Sequence, residues 1–178
     1  MKRIDLEHII RAASEIVDQD VVVIGSQAVL AQYPKAPVDL VISVEADVFP
    51  VDEPERADEI EGAIGEGSMF HGNFEYYAHG VGPETARAPP GWRERLVPLS
   101  NDNTRGATGW CMEIHDVVLS KCVANREKDW DYARVAISKG LVDTRTLLER
   151  AELLPVEGDH KQLVREQLQA LVPPPTDS

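Results

Sequence analysis

Apolar residues recur at helical spacing near the start of the chain and again through its last third. Residues 5–18 carry an apolar position every three or four residues, which predicts an amphipathic helix, and Asp5 is placed to cap its start. Residues 21–24 are a β-branched run that predicts a strand. Gly25-Ser26 ends this strand, and residues 27–32 contain good helix formers. The predicted order is therefore helix, strand, tight turn and short helix.

The rest of the pattern places strands in the first two thirds of the chain and helices alone after them. Residues 38–49 predict a second strand, and an acidic helix is expected over residues 54–66. The middle third is rich in glycine, proline and aromatic residues. Further strands are expected near residues 74–78, 95–99 and 108–112, and helical segments near residues 114–138, 143–153 and 159–171. This order indicates an α+β or α/β sheet with a helical C-terminal portion.

Composition and charge narrow the classes of protein and partner. The chain has 178 residues, of which 43% are hydrophobic and 28% charged, as in a globular protein and unlike a disordered or fibrous one. The net charge of −13 repels phosphate, so any contact with nucleic acid must be local. Cys111 and Cys122 lie outside any CxxC motif, and no apolar run is long enough for a membrane span. We therefore expect a cytoplasmic protein with no disulfide scaffold and no membrane contact.

Glu45 and Asp47 are the first candidates for chemistry. Residues two apart on a strand point to the same face, so the two carboxylates lie side by side. Like charges this close disfavour each other's ionisation unless a cation lies between them, and Mg²⁺ prefers carboxylate oxygen. A solvent-facing strand surface is the alternative. The apolar neighbours along the predicted strand favour a partly covered cation site.

Two further features suit an anionic ligand. The Gly25-Ser26 turn after a strand can offer backbone N–H groups and a hydroxyl to phosphate, although such a turn is often only a turn. On a continuous helix over residues 114–130, Lys121 and Asp129 share a face with apolar residues. Lys121 would then neutralise charge that develops in phosphoryl or nucleotidyl transfer. For Asp129, a local ion pair with Arg126 or Lys128 is an equal alternative.

Together these segments resemble a known superfamily. The strand that ends in Gly25-Ser26, followed by Glu45-x-Asp47, is similar to the GS…[DE]xD motif of the polymerase-beta-like minimal nucleotidyltransferases. The later segment EIHDVVLSKCVANREKD resembles the DxxxxK…R.KD motif of the bacterial branch that includes the AbiEii and MenT-type toxins. The stretch over residues 44–129 looks like a group of uncharacterised bacterial nucleotidyltransferases in that branch.

The resemblance implies a fold, an activity and a set of site residues. The fold would be α+β, with a nucleotidyltransferase-like mixed sheet flanked by helices over residues 1–112. The resemblance extends to about residue 141. The helical pattern beyond it predicts that a helical part of the same domain covers residues 113–172, and the prolines at 173–175 predict a flexible tail over residues 173–178. The activity would be transfer of NMP from an NTP with Mg²⁺ or Mn²⁺ as cofactor. The acceptor could be the 3′ end of tRNA, as for a toxin with a cognate antitoxin. The implied residues are Glu45 and Asp47 as metal ligands, Gly25, Ser26, Lys121 and Arg126 for the nucleotide, and Lys121 and Asp129 in catalysis.

Two departures from the superfamily motif keep a second interpretation open. Glu45 stands where aspartate is usual, and the interval from Ser26 to Glu45 is longer than is typical. In addition, the superfamily's third metal-binding carboxylate has no clear match, with Glu75, Glu94 and Asp102 as weak candidates. The alternative is an inactive nucleotidyltransferase-like binding module. The histidines show no metal-site spacing. An aromatic group in the middle third is expected in the core more than in base stacking; its members are Phe70, His71, Phe74, Tyr76, Tyr77 and His79.

Overall fold

The computed structural model describes residues 1–172 and divides the chain into two compact units. The first comprises Met1–Ala86 with Arg93–Glu113, and the second comprises Arg87–Trp92 with the chain from Ile114 onward. The first holds all five strands of the described residues, and the second holds four helices. This arrangement confirms the α+β class, with a mixed sheet, flanking helices and a helical C-terminal part. The assignment of both parts to one domain stays a prediction, and the predicted tail lies outside the described residues.

The first unit is built on a five-stranded mixed sheet. Its strands are β1 (Val21–Ile24), β2 (Glu45–Pro50), β3 (Tyr77–Gly80), β4 (Val97–Leu99) and β5 (Gly109–Cys111), in the order β3-β2-β1-β5-β4. The β1–β2 and β4–β5 pairs are antiparallel, whereas β1–β5 and β2–β3 are parallel. β2 therefore lies between β1 and β3, with backbone partners on both sides.

Helix α1 (Arg3–Val17) supplies the apolar layer against the sheet. Its Leu6, Ile9 and Ile10 are fully buried, as the helical spacing predicted. Asp5 caps the start from the third helical position, where its carboxylate accepts the Lys2 N–H over 2.7 Å. Helices α2 (Ala57–Ile64) and α3 (Met69–Phe74) complete this unit, and α2 packs on both α1 and β3.

A buried carboxylate joins α1 to the loop between β4 and β5. The Glu7 side chain is 5% exposed and accepts hydrogen bonds from Asn101, Asn103 and Arg3, over 2.8, 2.7 and 3.0 Å. Burial alone would raise the pKa of Glu7, but these three hydrogen bonds and the Arg3 charge outweigh it and lower the pKa. The ionised form of Glu7 is therefore favoured in the folded protein.

The prediction of a strand over residues 38–49 is wrong for its first half. Val38–Leu40 is a short 3₁₀ turn, and the strand begins only at Glu45. The carbonyls of Val41 and Ser43 accept from the Met1 amino group, so they do not enter a sheet ladder. Ile42 is 70% exposed and Val44 is 47% exposed, so neither belongs to the apolar strand face inferred from the pattern.

Two other predictions shift for local reasons. The strand expected over residues 74–78 begins at Tyr77, because Ser68 caps α3 and this helix occupies Met69–Phe74. The long helix expected over residues 114–138 is two helices, α4 (Ile114–Ala124) and α5 (Glu127–Ser138). Asn125 adopts a left-handed φ of 57° between them. A single helical wheel over residues 114–130 is therefore wrong.

The second unit is a small helical assembly. α4 packs against α5, α6 (Thr144–Ala151) and α7 (Gly158–Leu171), and α6 also contacts α7. Its buried apolar residues include Val118 and Leu119 of α4, Leu147 of α6 and Leu168 of α7. The C-terminal helical portion predicted from periodicity is thus confirmed, with α6 and α7 close to their expected bounds.

Candidate functional site

The two predicted carboxylates stand at the start of β2. Glu45 and Asp47 lie two residues apart on this strand, so their side chains share one face of the sheet. Asp47 is opposite Ile24, the last residue of β1, and opposite His79 on β3. The Asp47 side chain is 28% exposed, and it therefore combines partial cover with access for a ligand.

The Gly25-Ser26 turn adjoins Asp47. Gly25 has φ 72° and ψ −162°, and Ser26 begins a 3₁₀ helix, Ser26–Ala31. A Cβ atom added to Gly25 would lie 2.7 Å from Asp47 Oδ2. Gln27 is buried and donates from Nε2 to the Ser43 carbonyl over 3.0 Å, which fixes the turn to the segment before β2. Four of the predicted site residues, Gly25, Ser26, Glu45 and Asp47, are therefore brought together in the first unit.

Strand β3 carries a hydrogen-bond partner for each carboxylate. The Tyr77 hydroxyl donates to Glu45 Oε2 over 2.9 Å, and His79 Nδ1 lies 2.9 Å from Asp47 Oδ1. Sequence reasoning treated these two residues only as members of an aromatic group. Tyr77 and His79 are two residues apart, as Glu45 and Asp47 are. This spacing indicates contact between the two pairs only once the pairing of β2 with β3 is known.

Both β3 side chains have shifted pKa values. Burial, with the hydrogen bond to Glu45 and its charge, raises the pKa of Tyr77 to about 12, so the phenol keeps its proton at neutral pH. Burial acts to lower the pKa of His79, but the hydrogen bond and charge of Asp47 outweigh it and raise the pKa. An ionised carboxylate only accepts hydrogen bonds, so Nδ1 of His79 carries the hydrogen of this contact.

The donor set suits a hard divalent cation. Carboxylate oxygen is the ligand that Mg²⁺ and Mn²⁺ prefer, and Mg²⁺ is commonly held by one or two carboxylates together with substrate phosphates and water. Glu45 and Asp47 fit that description. In the part of the chain that the structure describes, no group of three or more His, Cys, Asp or Glu side chains is arranged to hold a metal ion.

The weak candidates for a third carboxylate do not lie beside Asp47 on the sheet. Glu75 is exposed at the end of α3, and Glu94 and Asp102 are exposed in 3₁₀ turns. The β3 position paired with Asp47 holds His79 instead.

The other predicted residues form a cluster in the second unit. Asp129, whose side chain is 1% exposed, binds Arg126 through Nε–Oδ2 and Nη2–Oδ1 contacts of 2.6 and 3.2 Å. It also accepts the Arg126 N–H at 3.4 Å, at the start of α5. Lys121 Nζ lies 3.8 Å from Asp129 Oδ1 and 4.8 Å from the centre of the Tyr132 ring. These contacts give Asp129 a structural role, and its catalytic role stays a prediction.

The mixed sheet carries paired carboxylates on β2 next to a Gly-Ser turn after β1, which is the arrangement that the superfamily resemblance implied. A family model described as "Nucleotidyltransferase of unknown function (DUF6036)" matches residues 4–161. The chain therefore belongs to this family. No curated protein and no solved structure matches the chain.

The length and hydropathy of the helices bear on whether any of them could cross a membrane. None of those in residues 1–172 combines the length and the apolar character that a bilayer crossing requires.

Proposed function

We propose that this chain is a metal-dependent nucleotidyltransferase that moves NMP from an NTP to an acceptor hydroxyl and releases pyrophosphate. The observation that carries the proposal is the pair of carboxylates, Glu45 and Asp47, on one face of β2 with Asp47 Oδ2 against the Gly25 turn. Carboxylates in this position would hold Mg²⁺ or Mn²⁺ where a triphosphate meets the turn. Membership of a nucleotidyltransferase family supports the same reaction class.

The proposed reaction forms a bond between the acceptor oxygen and the α-phosphorus and breaks the bond from that phosphorus to the oxygen that bridges to the β-phosphate. Pyrophosphate leaves with the electron pair of that bond, and the proton of the acceptor hydroxyl is released to solvent. The bound cation would stabilise the negative charge on the phosphate oxygens and on the attacking oxygen, and it would thereby lower the activation barrier. Gly25 and Ser26 would bind the triphosphate, and Glu45 and Asp47 would hold the cation. Lys121, with Arg126, would neutralise phosphate charge, as the resemblance to the superfamily implies.

The toxin-related branch and its acceptor are the finer part of the proposal. The segment with Lys121, Arg126 and Asp129 resembles that of AbiEii and MenT-type toxins, so we propose the 3′ end of tRNA as acceptor and a cognate antitoxin as partner. The net charge of −13 restricts such an RNA contact to a small area.

Nucleotide and metal binding can be measured by thermal denaturation. We expect an NTP with Mg²⁺ to raise Tm, since a ligand at a hundredfold excess over Kd stabilises the folded state by about 2.7 kcal/mol. The double variant Glu45→Gln with Asp47→Asn should lose the Mg²⁺-dependent part of this shift. Glu55→Gln with Asp58→Asn makes the same charge change at two exposed residues and should keep the shift. An undiminished shift in the first variant would remove Glu45 and Asp47 from the metal site.

A labelling assay identifies the acceptor. The protein is incubated with total bacterial RNA and each labelled NTP in turn, with and without Mg²⁺. The proposal expects label on tRNA-sized RNA, dependent on Mg²⁺ and on Asp47. If label appeared only on a small molecule or only on the protein itself, that molecule would be the acceptor and tRNA would not.

An inactive binding module is the second candidate. The observation that favours it is the place of His79 beside Asp47, with no cluster of three or more His, Cys, Asp or Glu side chains suited to a metal ion within residues 1–172. Binding of an NTP without label on any acceptor would support this candidate over the transferase.

A further inference from the structure

The register of the parallel pair β2–β3 places two side chains directly beside the two carboxylates. Glu45 is paired with Tyr77, and Asp47 is paired with His79. Neighbouring strands are about 4.8 Å apart, so side chains on the same face of paired residues meet. Because residues two apart on a strand share a face, the same contact occurs at both pairs, Glu45 with Tyr77 and Asp47 with His79. β3 therefore contacts the candidate metal site through both of its polar side chains.

Tyr77 is a rigid donor to Glu45. It is only 9% exposed, and its ring packs against the His71 ring at 4.6 Å between centroids. Its hydroxyl position is therefore fixed by the packing of the ring. The 2.9 Å hydrogen bond to Glu45 Oε2 fixes one of the two carboxylate oxygens.

His79 acts on Asp47 in the same way. Its Nδ1–H donates to Oδ1, while Oδ2 is the oxygen that lies nearest the Gly25 turn. The contact fixes the plane of the Asp47 carboxylate, with one edge towards β3 and the other towards the turn.

We propose that Tyr77 and His79 are positioning residues that orient Glu45 and Asp47 for a divalent cation. The inference rests on the proposed function, because it needs the two carboxylates to be ligands. Hydrogen bonds to ligating carboxylates orient them before the metal arrives, and their loss costs about 10- to 100-fold in metal affinity or activity. Two carboxylates without hydrogen-bond partners would lose conformational freedom when they bind a cation. The side chains of β3 restrict this freedom beforehand, so less is lost on binding.

The test is a direct titration of the purified protein with Mn²⁺, in which free Mn²⁺ is followed by electron paramagnetic resonance. Tyr77→Phe removes only the hydroxyl, and His79→Leu removes the ring donor. We expect each to weaken Mn²⁺ binding by about 10- to 100-fold. His79→Asn can place an amide N–H close to the position of Nδ1, and it should restore affinity to within about threefold of wild type.

Tyr76→Phe is the matched control. Its hydroxyl bonds to His8 at 2.8 Å and not to a carboxylate, so its loss should leave Mn²⁺ affinity unchanged. Metal-free Tm values of all variants separate an effect on the ligands from a loss of folding. Weaker Mn²⁺ binding in variants that keep their metal-free Tm would support the inference.

Three outcomes would overturn the inference, and one of them would refute the proposed function as well. Wild-type affinity in both Tyr77→Phe and His79→Leu, with Mn²⁺ bound normally by the wild-type protein, would refute the positioning role alone. Tighter binding by His79→Leu would show that the imidazole competes with the cation for Asp47. Absence of Mn²⁺ binding by the wild-type protein, with or without NTP, would refute the proposed function as well.

Discussion

Substitution of Gly25 by alanine tests the geometry of the candidate site through stability, without any assumption about activity. The backbone of Gly25, at φ 72° and ψ −162°, lies in a region that is essentially restricted to glycine, and other residues there cost about 1–3 kcal/mol. The new Cβ would also lie 2.7 Å from Asp47 Oδ2, closer than such atoms normally approach. We therefore expect Gly25→Ala to lower the free energy of unfolding by at least about 1–3 kcal/mol.

Urea denaturation and thermal denaturation both measure this change. For a chain of this size each kcal/mol lowers Tm by about 2–4 °C, so the expected fall in Tm is about 2–12 °C. Gly106→Ala is the matched control, because Gly106 has φ 87° but nothing within 4 Å of an added Cβ. It carries backbone strain without the contact.

A double-mutant cycle with Asp47→Ala isolates the contact. Residues in contact show coupling energies of about 0.5–3 kcal/mol, so Gly25→Ala should cost less in the Asp47→Ala background than in the wild type. Equal costs in both backgrounds would refute the close approach of Asp47 to the turn. A Gly25→Ala protein as stable as the wild type would refute the left-handed turn itself.

Three further predictions concern other parts of the chain. Lys121→Met should lower kcat of nucleotidyl transfer at least about tenfold with little change in KM, because the ammonium is proposed to act on transition-state charge; an unchanged kcat would make Lys121 structural. Glu7→Gln should cost about 1–3 kcal/mol at pH 7, since the hydrogen-bonded carboxylate is buried. The pKa of Glu7 is lowered by folding, so this difference should shrink as pH falls below the ordinary value of 4.5. A difference that is constant between pH 7 and pH 3 would contradict that reasoning. Gly109→Ala should destabilise by about 1–3 kcal/mol, because its Cβ would lie 2.4 Å from Ile10 Cδ1. Ile10→Ala removes both atoms that lie within 3 Å of this Cβ, so denaturation of the four proteins of a double-mutant cycle should show a smaller cost of Gly109→Ala in the Ile10→Ala background than in the wild type.

Short-range regularities in the sequence were sufficient for several elements and for the central pair of the site. The helical period predicts α1, and the β-branched run predicts β1 at its observed bounds, because burial on one face or in a sheet interior leaves a periodic trace in the chain. The two-residue period places Glu45 and Asp47 on one face wherever β2 pairs. The Gly25-Ser26 turn is equally local, since only glycine readily adopts its backbone conformation.

The tertiary structure decided what depends on partners distant in the chain. Val41 and Ser43 do not join β2, because their carbonyls bond to the amino group of Met1. The break at Asn125 divides the apolar pattern between α4 and α5. A helical wheel over residues 114–130 assumes one continuous helix axis, so it assigned the faces incorrectly. Tyr77 and His79 become neighbours of the carboxylates only through the parallel pairing of β2 with β3. Strand pairing joins residues 32 positions apart through backbone hydrogen bonds that carry no side-chain signature, so the sequence alone does not reveal it.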